Sequence, residues 1–172
     1  QSCIYDIYRA SEAIVKCLKS SGKILLAGNG GSAADCQHMA AEFMSRFRPN
    51  LERPGLPAIA LTTDVSFLTA YSNDIGFEGI FERQVIALGK PGDILIGIST
   101  SGESLNVILA IEAAIKLGMT TIGLTGAYGR LGKTAQISIN VPSIITSFIQ
   151  EIHLSIEHIL CELTELALYP GE

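Results

Sequence analysis

The chain has 172 residues, of which 17% are charged and 48% hydrophobic, and its formal net charge at pH 7 is −5. One domain typically takes about 100–200 residues, so this length predicts a single domain. The low charged fraction excludes a disordered chain and favours a homo-oligomer, while the acidic balance argues against nucleic acid or an anionic membrane as a partner. The apolar stretches are shorter than the about 18 residues of a spanning helix, and no secretory leader opens the chain, so we expect a cytoplasmic protein.

Apolar residues at helical spacing predict an amphipathic first helix that ends at Ser20-Ser21-Gly22. Strand-length apolar runs then alternate with helical segments, which predicts a parallel sheet with helices on both faces, an α/β fold. The predicted strands cover residues 23–27, 58–61, 93–98, 121–125 and 137–141. The predicted helices cover residues 32–47, 64–72, 77–88, 104–117 and 146–167. Ser32 and Asp35 have the spacing of a capping box, and Gly118 is expected to close its helix.

The four cysteines lie far apart in predicted helices and form no Cys-x-x-Cys pair. This usage predicts reduced core residues, and it argues against a disulfide framework or a cysteine metal site.

The first strand runs into Gly28-Asn29-Gly30-Gly31-Ser32, here called the glycine loop. With Ala33 it matches the dinucleotide-binding pattern G-x-G-x-x-A. A dinucleotide fold places an acidic residue about 20 residues farther on, at the end of the next strand. Here that strand ends near Asp64, beyond a proline-rich connector, so we do not expect NAD binding.

The third strand runs into Ser99-Thr100-Ser101-Gly102-Glu103-Ser104, here called the hydroxyl loop. It places four hydroxyl groups and several free N–H groups at the start of a predicted helix, which is a cradle suited to a phosphate monoester. Helix capping alone would use only one or two of these hydroxyls. The loop therefore predicts a phosphate site built from neutral donors.

Two of the three histidines, His153 and His158, share the last predicted helix with Gln150, and the third is His38. His38 and Glu42 are spaced i, i+4, so both project from one helix face. Such groups could bind a metal such as zinc, transfer protons as acid and base, or form only a hydrogen-bonded surface row, and the sequence leaves these uses open. Gln150 and His158 are about 12 Å apart along a helix axis, so ligands from two subunits are a further possibility.

Together these motifs resemble the sugar isomerase (SIS) domain family, and within it the phosphoheptose isomerases, through nearly the whole chain. The segments that carry the resemblance are residues 28–35, 37–38 with Glu42, 53–61, 73–74, 97–102 and 149–153. It implies one SIS domain over residues 1–172 whose N-terminal helix begins before Gln1. It also implies a five-stranded parallel sheet in a flavodoxin-like three-layer sandwich, and a homotetramer with active sites between subunits.

The reaction that the resemblance implies converts sedoheptulose 7-phosphate to D-glycero-D-manno-heptose 7-phosphate by enediol-type proton transfer, for lipopolysaccharide precursor synthesis. Glu42 and His158 would be the acid/base pair. One zinc ion per subunit would be held by His38, Glu42, Gln150 and His158. The substrate residues that it implies are Asn29, Gly30, Gly31, Ser32, Asn73, Asp74, Ser99, Thr100, Ser101, Ser104 and Gln150.

Two alternatives come from other functional classes. One is a non-catalytic relative of these isomerases that binds the replication initiator, and the other is a module that senses a sugar phosphate without converting it. Neither needs a paired acid and base. The presence of both Glu42 and His158 therefore favours the enzyme.

Overall fold

A five-stranded parallel sheet lies between two layers of helices in the computed structural model, which describes residues 2–170. The strand order is β2-β1-β3-β4-β5, the flavodoxin-like order, and it confirms the predicted α/β fold. The strands are β1 (Ile24–Gly28), β2 (Ala58–Ala60), β3 (Ile94–Ser99), β4 (Thr120–Thr125) and β5 (Ile137–Asn140). The helices are α1 (Ser2–Lys19), α2 (Gly31–Met44), α3 (Val65–Asp74), α4 (Ile80–Leu88), α5 (Leu105–Lys116), α6 (Leu131–Thr134) and α7 (Thr146–Leu168), with a 3-10 turn at Phe77–Gly79.

The central strands β1 and β3 are buried along their whole length, as expected for a parallel sheet covered on both faces. Helices α1, α2 and α7 pack on one face around a core that includes Phe43 and Leu160. Helices α4 and α5 pack on the other face around Phe81 and Ile111, with α3 and α6 at its margin. The sheet therefore separates two cores, and the central strands β1 and β3 contribute alternate side chains to both.

Element boundaries differ from the predictions mainly in α2, which ends at Met44 and not at residue 47. The guanidinium of Arg53 donates to the carbonyl oxygens of Glu42 (2.9 Å) and Phe43 (2.8 Å), and so satisfies groups that the last helical turn leaves free. The short helix α6 lies where the sequence predicted only a loop, because a single turn carries no periodic signal.

The predicted capping box of Ser32 with Asp35 is wrong. Gly30 stands at the N-cap of α2 and no side chain caps it, because the helix begins directly at the glycine loop. Gly118 follows the end of α5 with a φ of +75°, which confirms that it closes that helix.

All four cysteines are free thiols. Across residues 2–170, none of the helices combines the length and the apolar character that crossing a bilayer requires.

Candidate active site

The glycine loop and the hydroxyl loop leave neighbouring strands at the same edge of the sheet. Gly28 at the end of β1 is in register with Ile98 near the end of β3. The chain then passes to α2 on one face and to α5 on the other, so strand order reverses between β1 and β3. In open parallel sheets this reversal forms a crevice beyond the carboxyl ends of the strands, where ligands bind.

In the hydroxyl loop, the serine side chains bond to one another and not to the helix that follows. The Ser99 hydroxyl lies 2.9 Å from that of Ser104 and 3.4 Å from that of Ser101. Ser104 is the N-cap residue of α5, but its side chain makes no capping bond. A cavity of about 180 Å³ adjoins the loop, lined by Thr100 and Ser101 among others. The three serine hydroxyls are thus clustered, with Ser99 buried and Ser101 and Ser104 at least partly exposed to a ligand such as phosphate.

The glycine loop lies against helix α7, and a side chain at Gly31 would meet the end of the Gln150 side chain. A Cβ there would lie 2.1 Å from Nε2 of Gln150. Gln150 in turn donates to a carboxylate oxygen of Asp35, at 3.3 Å. Burial raises the pKa of Asp35, against the opposing effects of the Gln150 hydrogen bond and of His38. The first turn of α2 and the first turns of α7 are therefore in direct contact beside the glycine loop.

Two turns farther along these helices, His38, Glu42 and His158 meet. The Nε2 atoms of His38 and His158 are 2.8 Å apart, close enough that one nitrogen donates a hydrogen bond to the other. A carboxylate oxygen of Glu42 lies 3.7 Å from Nε2 of His38. The ring of Phe47 lies against the ring of His158, with centroids 5.4 Å apart. The structure thus gathers three of the four predicted metal ligands, including both members of the predicted acid/base pair.

Gln150 lies outside this group, because its side-chain amide is bonded to Asp35. Asn73 and Asp74 are exposed at the end of α3, where the Asn73 amide donates to the Asp74 carboxylate at 2.7 Å. No hydrogen bond between described residues joins this pair to either loop. The roles assigned to Gln150, Asn73 and Asp74 remain predictions.

A buried ion pair that the sequence did not single out supports the end of α2. Arg53 and Glu165 have side chains 0% and 1% exposed, and their charged groups lie 2.7 Å apart. Glu165 also accepts hydrogen bonds from the backbone N–H groups of Phe47 (2.7 Å) and Arg48 (3.0 Å). Burial alone would raise the pKa of Glu165, but these two N–H groups and Arg53 outweigh it and lower the pKa. The pair therefore joins α7 to the chain directly after Glu42.

Helix α7 buries two further ionisable groups between the site residues. Glu157 is fully buried, and neither of its carboxylate oxygens has a hydrogen-bond partner among the described residues. Burial, with a smaller effect of Asp35, raises the pKa of Glu157 to about 8, so the carboxyl group is mostly protonated at neutral pH. Burial also lowers the pKa of His153, whose Nε2 lies 3.3 Å from the carbonyl oxygen of Thr125. Both side chains are therefore mainly uncharged inside the core.

The fold and the two loops define a class of protein, and comparison with known families agrees with it. The SIS domain family model matches residues 4–126, and the chain belongs to the SIS domain family. Within that family the chain is similar to the phosphoheptose isomerases. The phosphoheptose isomerase of Roseiflexus sp. (strain RS-1) is 56% identical over 164 residues, which are 95% of this chain and 82% of the relative.

Solved structures show the same similarity. The phosphoheptose isomerase from Neisseria gonorrhoeae superposes with a TM-score of 0.88 at 44% identity, and the match covers 95% of this chain and 87% of that one. The phosphoheptose isomerase from Francisella tularensis superposes with a TM-score of 0.90 at 43% identity, with the same coverage.

Proposed function

We infer that the chain is a ketose–aldose sugar-phosphate isomerase that converts sedoheptulose 7-phosphate to D-glycero-D-manno-heptose 7-phosphate, for heptose precursor synthesis. The reaction class is inferred from the grouping of Glu42 with His38 and His158. The Nε2 atoms of these two histidines are 2.8 Å apart. The substrate is inferred from the 56% identity to a phosphoheptose isomerase over nearly the whole chain. A protein that only binds or senses a ligand has no need of this group.

The isomerisation moves a hydrogen between adjacent carbons, so it needs a base at one carbon and an acid at the carbonyl oxygen. We assign these roles to Glu42 and His158. Glu42 is held in place because Arg53 donates to its carbonyl oxygen at 2.9 Å, and Arg53 is itself paired with Glu165. The hydroxyl loop binds the phosphate with neutral donors, and the glycine loop lies beside the sugar.

A zinc ion suits the donor set of this group, which offers two imidazole nitrogens and a carboxylate. As the side chains stand within residues 2–170, no group of three or more His, Cys, Asp and Glu residues is arranged to hold a metal ion. The two Nε2 atoms are closer, at 2.8 Å, than the about 3.3 Å expected for two ligands of one tetrahedral zinc. We propose that His38, Glu42 and His158 bind one zinc per subunit, with Gln150 as the fourth ligand. A bound zinc would act as a Lewis acid that stabilises negative charge on the substrate oxygen.

The roles of Glu42 as base and as ligand compete, because a carboxylate bound to a metal is a weaker base. Elemental analysis of protein purified without chelator should give about one zinc per chain, and His38→Ala should lower it. Full activity in the metal-free protein would show that turnover does not need the ion.

A homotetramer with active sites between subunits is the assembly that we propose. Large apolar side chains are exposed on α1 and beside α7, among them Ile4 (75%), Tyr5 (67%) and Ile144 (78%). Such patches mark contact surfaces. The expected mass in solution is that of four chains, and sedimentation equilibrium measures it. We also propose that the enzyme lies in the cytoplasm, where sugar phosphates are made.

Incubation with sedoheptulose 7-phosphate, with and without added zinc, tests the proposed function. The aldose product should appear with the wild-type chain and not with Glu42→Gln. If the ketose binds and no aldose forms under any metal condition, the chain is a sugar-phosphate binding protein and the assignment is wrong.

A further inference from the structure

We propose that Asn106 is a positioning residue that, through Asn29, holds the glycine loop at a fixed distance from the hydroxyl loop. This inference rests on the proposed function, because it concerns a ligand that touches both loops. Beyond Gly28 and Ile98 the backbone pairing of β1 with β3 ends. The two loops then lead to helices on opposite faces of the sheet, so backbone pairing alone does not fix their separation.

The side chains of Asn29 and Asn106 supply that link. The amide nitrogen of Asn29 donates to the amide oxygen of Asn106 at 2.8 Å, and the amide nitrogen of Asn106 donates to the oxygen of Asn29 at 2.9 Å. The two residues are 77 positions apart in the chain. Only a primary amide both donates and accepts in this geometry, so the pair requires Asn or Gln on each side.

The burial of Asn106 indicates that its pairing with Asn29 is more than a surface contact. Asn106 is 3% exposed in a helix whose other buried residues are apolar. Its oxygen also accepts the backbone N–H of Val107 at 2.9 Å, and that bond alone would account for a residue at a helix start. The amide nitrogen, however, has Asn29 as its partner, and an unpaired buried amide is unfavourable. A role in starting α5 therefore does not explain the whole contact.

The consequence reaches α7, because Gly31 of the glycine loop lies directly against the end of the Gln150 side chain. A shift of the glycine loop would displace Gln150 or lose this contact. A sugar phosphate spans the hydroxyl loop and the glycine loop, whereas inorganic phosphate occupies only the hydroxyl loop. Loss of the amide pair should therefore weaken the sugar phosphate and leave inorganic phosphate unaffected.

The experiment compares Asn106→Ala, Asn29→Ala and the double variant with the wild-type chain. Each single change removes both hydrogen bonds, so kcat/KM for sedoheptulose 7-phosphate should fall about ten-fold in Asn106→Ala, and the double variant should fall no further than Asn29→Ala. The inhibition constant of inorganic phosphate should stay within about two-fold, since its site is untouched. Thr121→Val is the matched control, because Thr121 is a buried polar residue whose hydroxyl accepts the N–H of Gln136 in another part of the sheet.

Three outcomes would overturn the proposal. These are an unchanged kcat/KM in Asn106→Ala, a parallel change in the phosphate constant, or a double variant whose loss is the product of the single losses. Asn29 is only half-buried, so its variant keeps the test open if Asn106→Ala does not fold. If the wild-type chain fails to convert the ketose, the proposed function is wrong. The ratio of sugar-phosphate to phosphate affinity, measured by calorimetry, then still tests the amide pair.

Discussion

The two faces of the sheet differ in the ionisable groups that their helices bury. Helices α2 and α7, on the first face, bury Asp35, His153, Glu157 and Glu165. Within the described residues, the helices of the second face bury no charged residue and no histidine, and Asn106 is their one buried polar side chain. Burial of an ionisable group costs free energy unless the group is paired or neutral. On the first face these buried groups lie on the same two helices as His38, Glu42 and His158, so stability and chemistry are coupled there. The second face contributes to the site through the start of α5.

Glu165→Gln should give the largest loss of stability, because it leaves Arg53 buried without its countercharge. Breaking a buried ion pair from one side costs about 3–5 kcal/mol. Urea unfolding at pH 7 measures this loss of unfolding free energy. Glu162→Gln, on the exposed side of α7, is the control and should change stability by less than about 0.5 kcal/mol. Equal effects of the two changes would show that the first face carries no special ion pair.

The stability that the Glu165 carboxylate contributes should depend on pH. Because the pKa of Glu165 is lower in the folded chain than its ordinary value of 4.5, its contribution to stability is complete above about pH 4.5. That contribution is lost as the pH falls through the folded-state pKa. The difference in unfolding free energy between wild type and Glu165→Gln should therefore be constant from pH 6 to 8 and shrink in acid, and a difference that grows in acid would contradict the assignment.

Glu42→Gln should give the largest loss of activity with little loss of stability. A positioned acid or base contributes about 10²–10⁴-fold, so turnover should fall at least about 100-fold while KM stays nearly unchanged. Glu52→Gln, an exposed carboxylate in the connector after α2, should keep full turnover. A Glu42 variant that loses substrate affinity and not turnover would instead mark a binding residue.

Ser101→Ala should have an intermediate effect that is confined to substrate affinity. Each hydrogen bond to a charged group is worth about 1.5–3 kcal/mol, so KM should rise about ten-fold or more. Ser155→Ala is a matched control, since its hydroxyl bonds to a carbonyl oxygen within α7, at 3.1 Å. The phosphate assignment fails if KM is the same in both variants.

Ile111→Val should have the smallest effect on both stability and activity, and it tests the second face of the sheet. Ile111 is fully buried in the apolar core of the second face, and removal of one methyl group typically costs about 0.5–1.5 kcal/mol. Calorimetric unfolding measures this loss. Both kcat and KM should remain at wild-type values, and a change in either would show that the apolar core of the second face also takes part in catalysis.

Local sequence patterns predicted the sheet and most helices well. The apolar run at residues 93–98 corresponds to β3 (Ile94–Ser99), and Gly118 closes α5 as expected. The same patterns failed for the ends of α2. Its start has no capping box, and its last carbonyl groups are satisfied by Arg53 from the proline-rich connector. A bond to a residue about ten positions away leaves no periodic signal.

For the site, the sequence indicated which residues carry the chemistry but not what holds them. Spacing pointed to His38 with Glu42, and the structure brings both to His158. The links of Asn29 with Asn106 and of Arg53 with Glu165 join residues 77 and 112 positions apart. Neither link has a local pattern, because an asparagine in a helix start and a glutamate in a long helix both look like ordinary solvent-facing residues.

The central claim is that the first face transfers protons, and isomerisation in deuterium oxide tests it most directly. A base that exchanges its proton with solvent places deuterium on the product carbon next to the new carbonyl group. Wild-type protein should therefore give deuterated aldose, as followed by proton NMR, and Glu42→Gln should form little product. Aldose formed by the wild-type protein without solvent deuterium would contradict the account, because it would indicate direct hydride transfer with Glu42 as no more than a ligand.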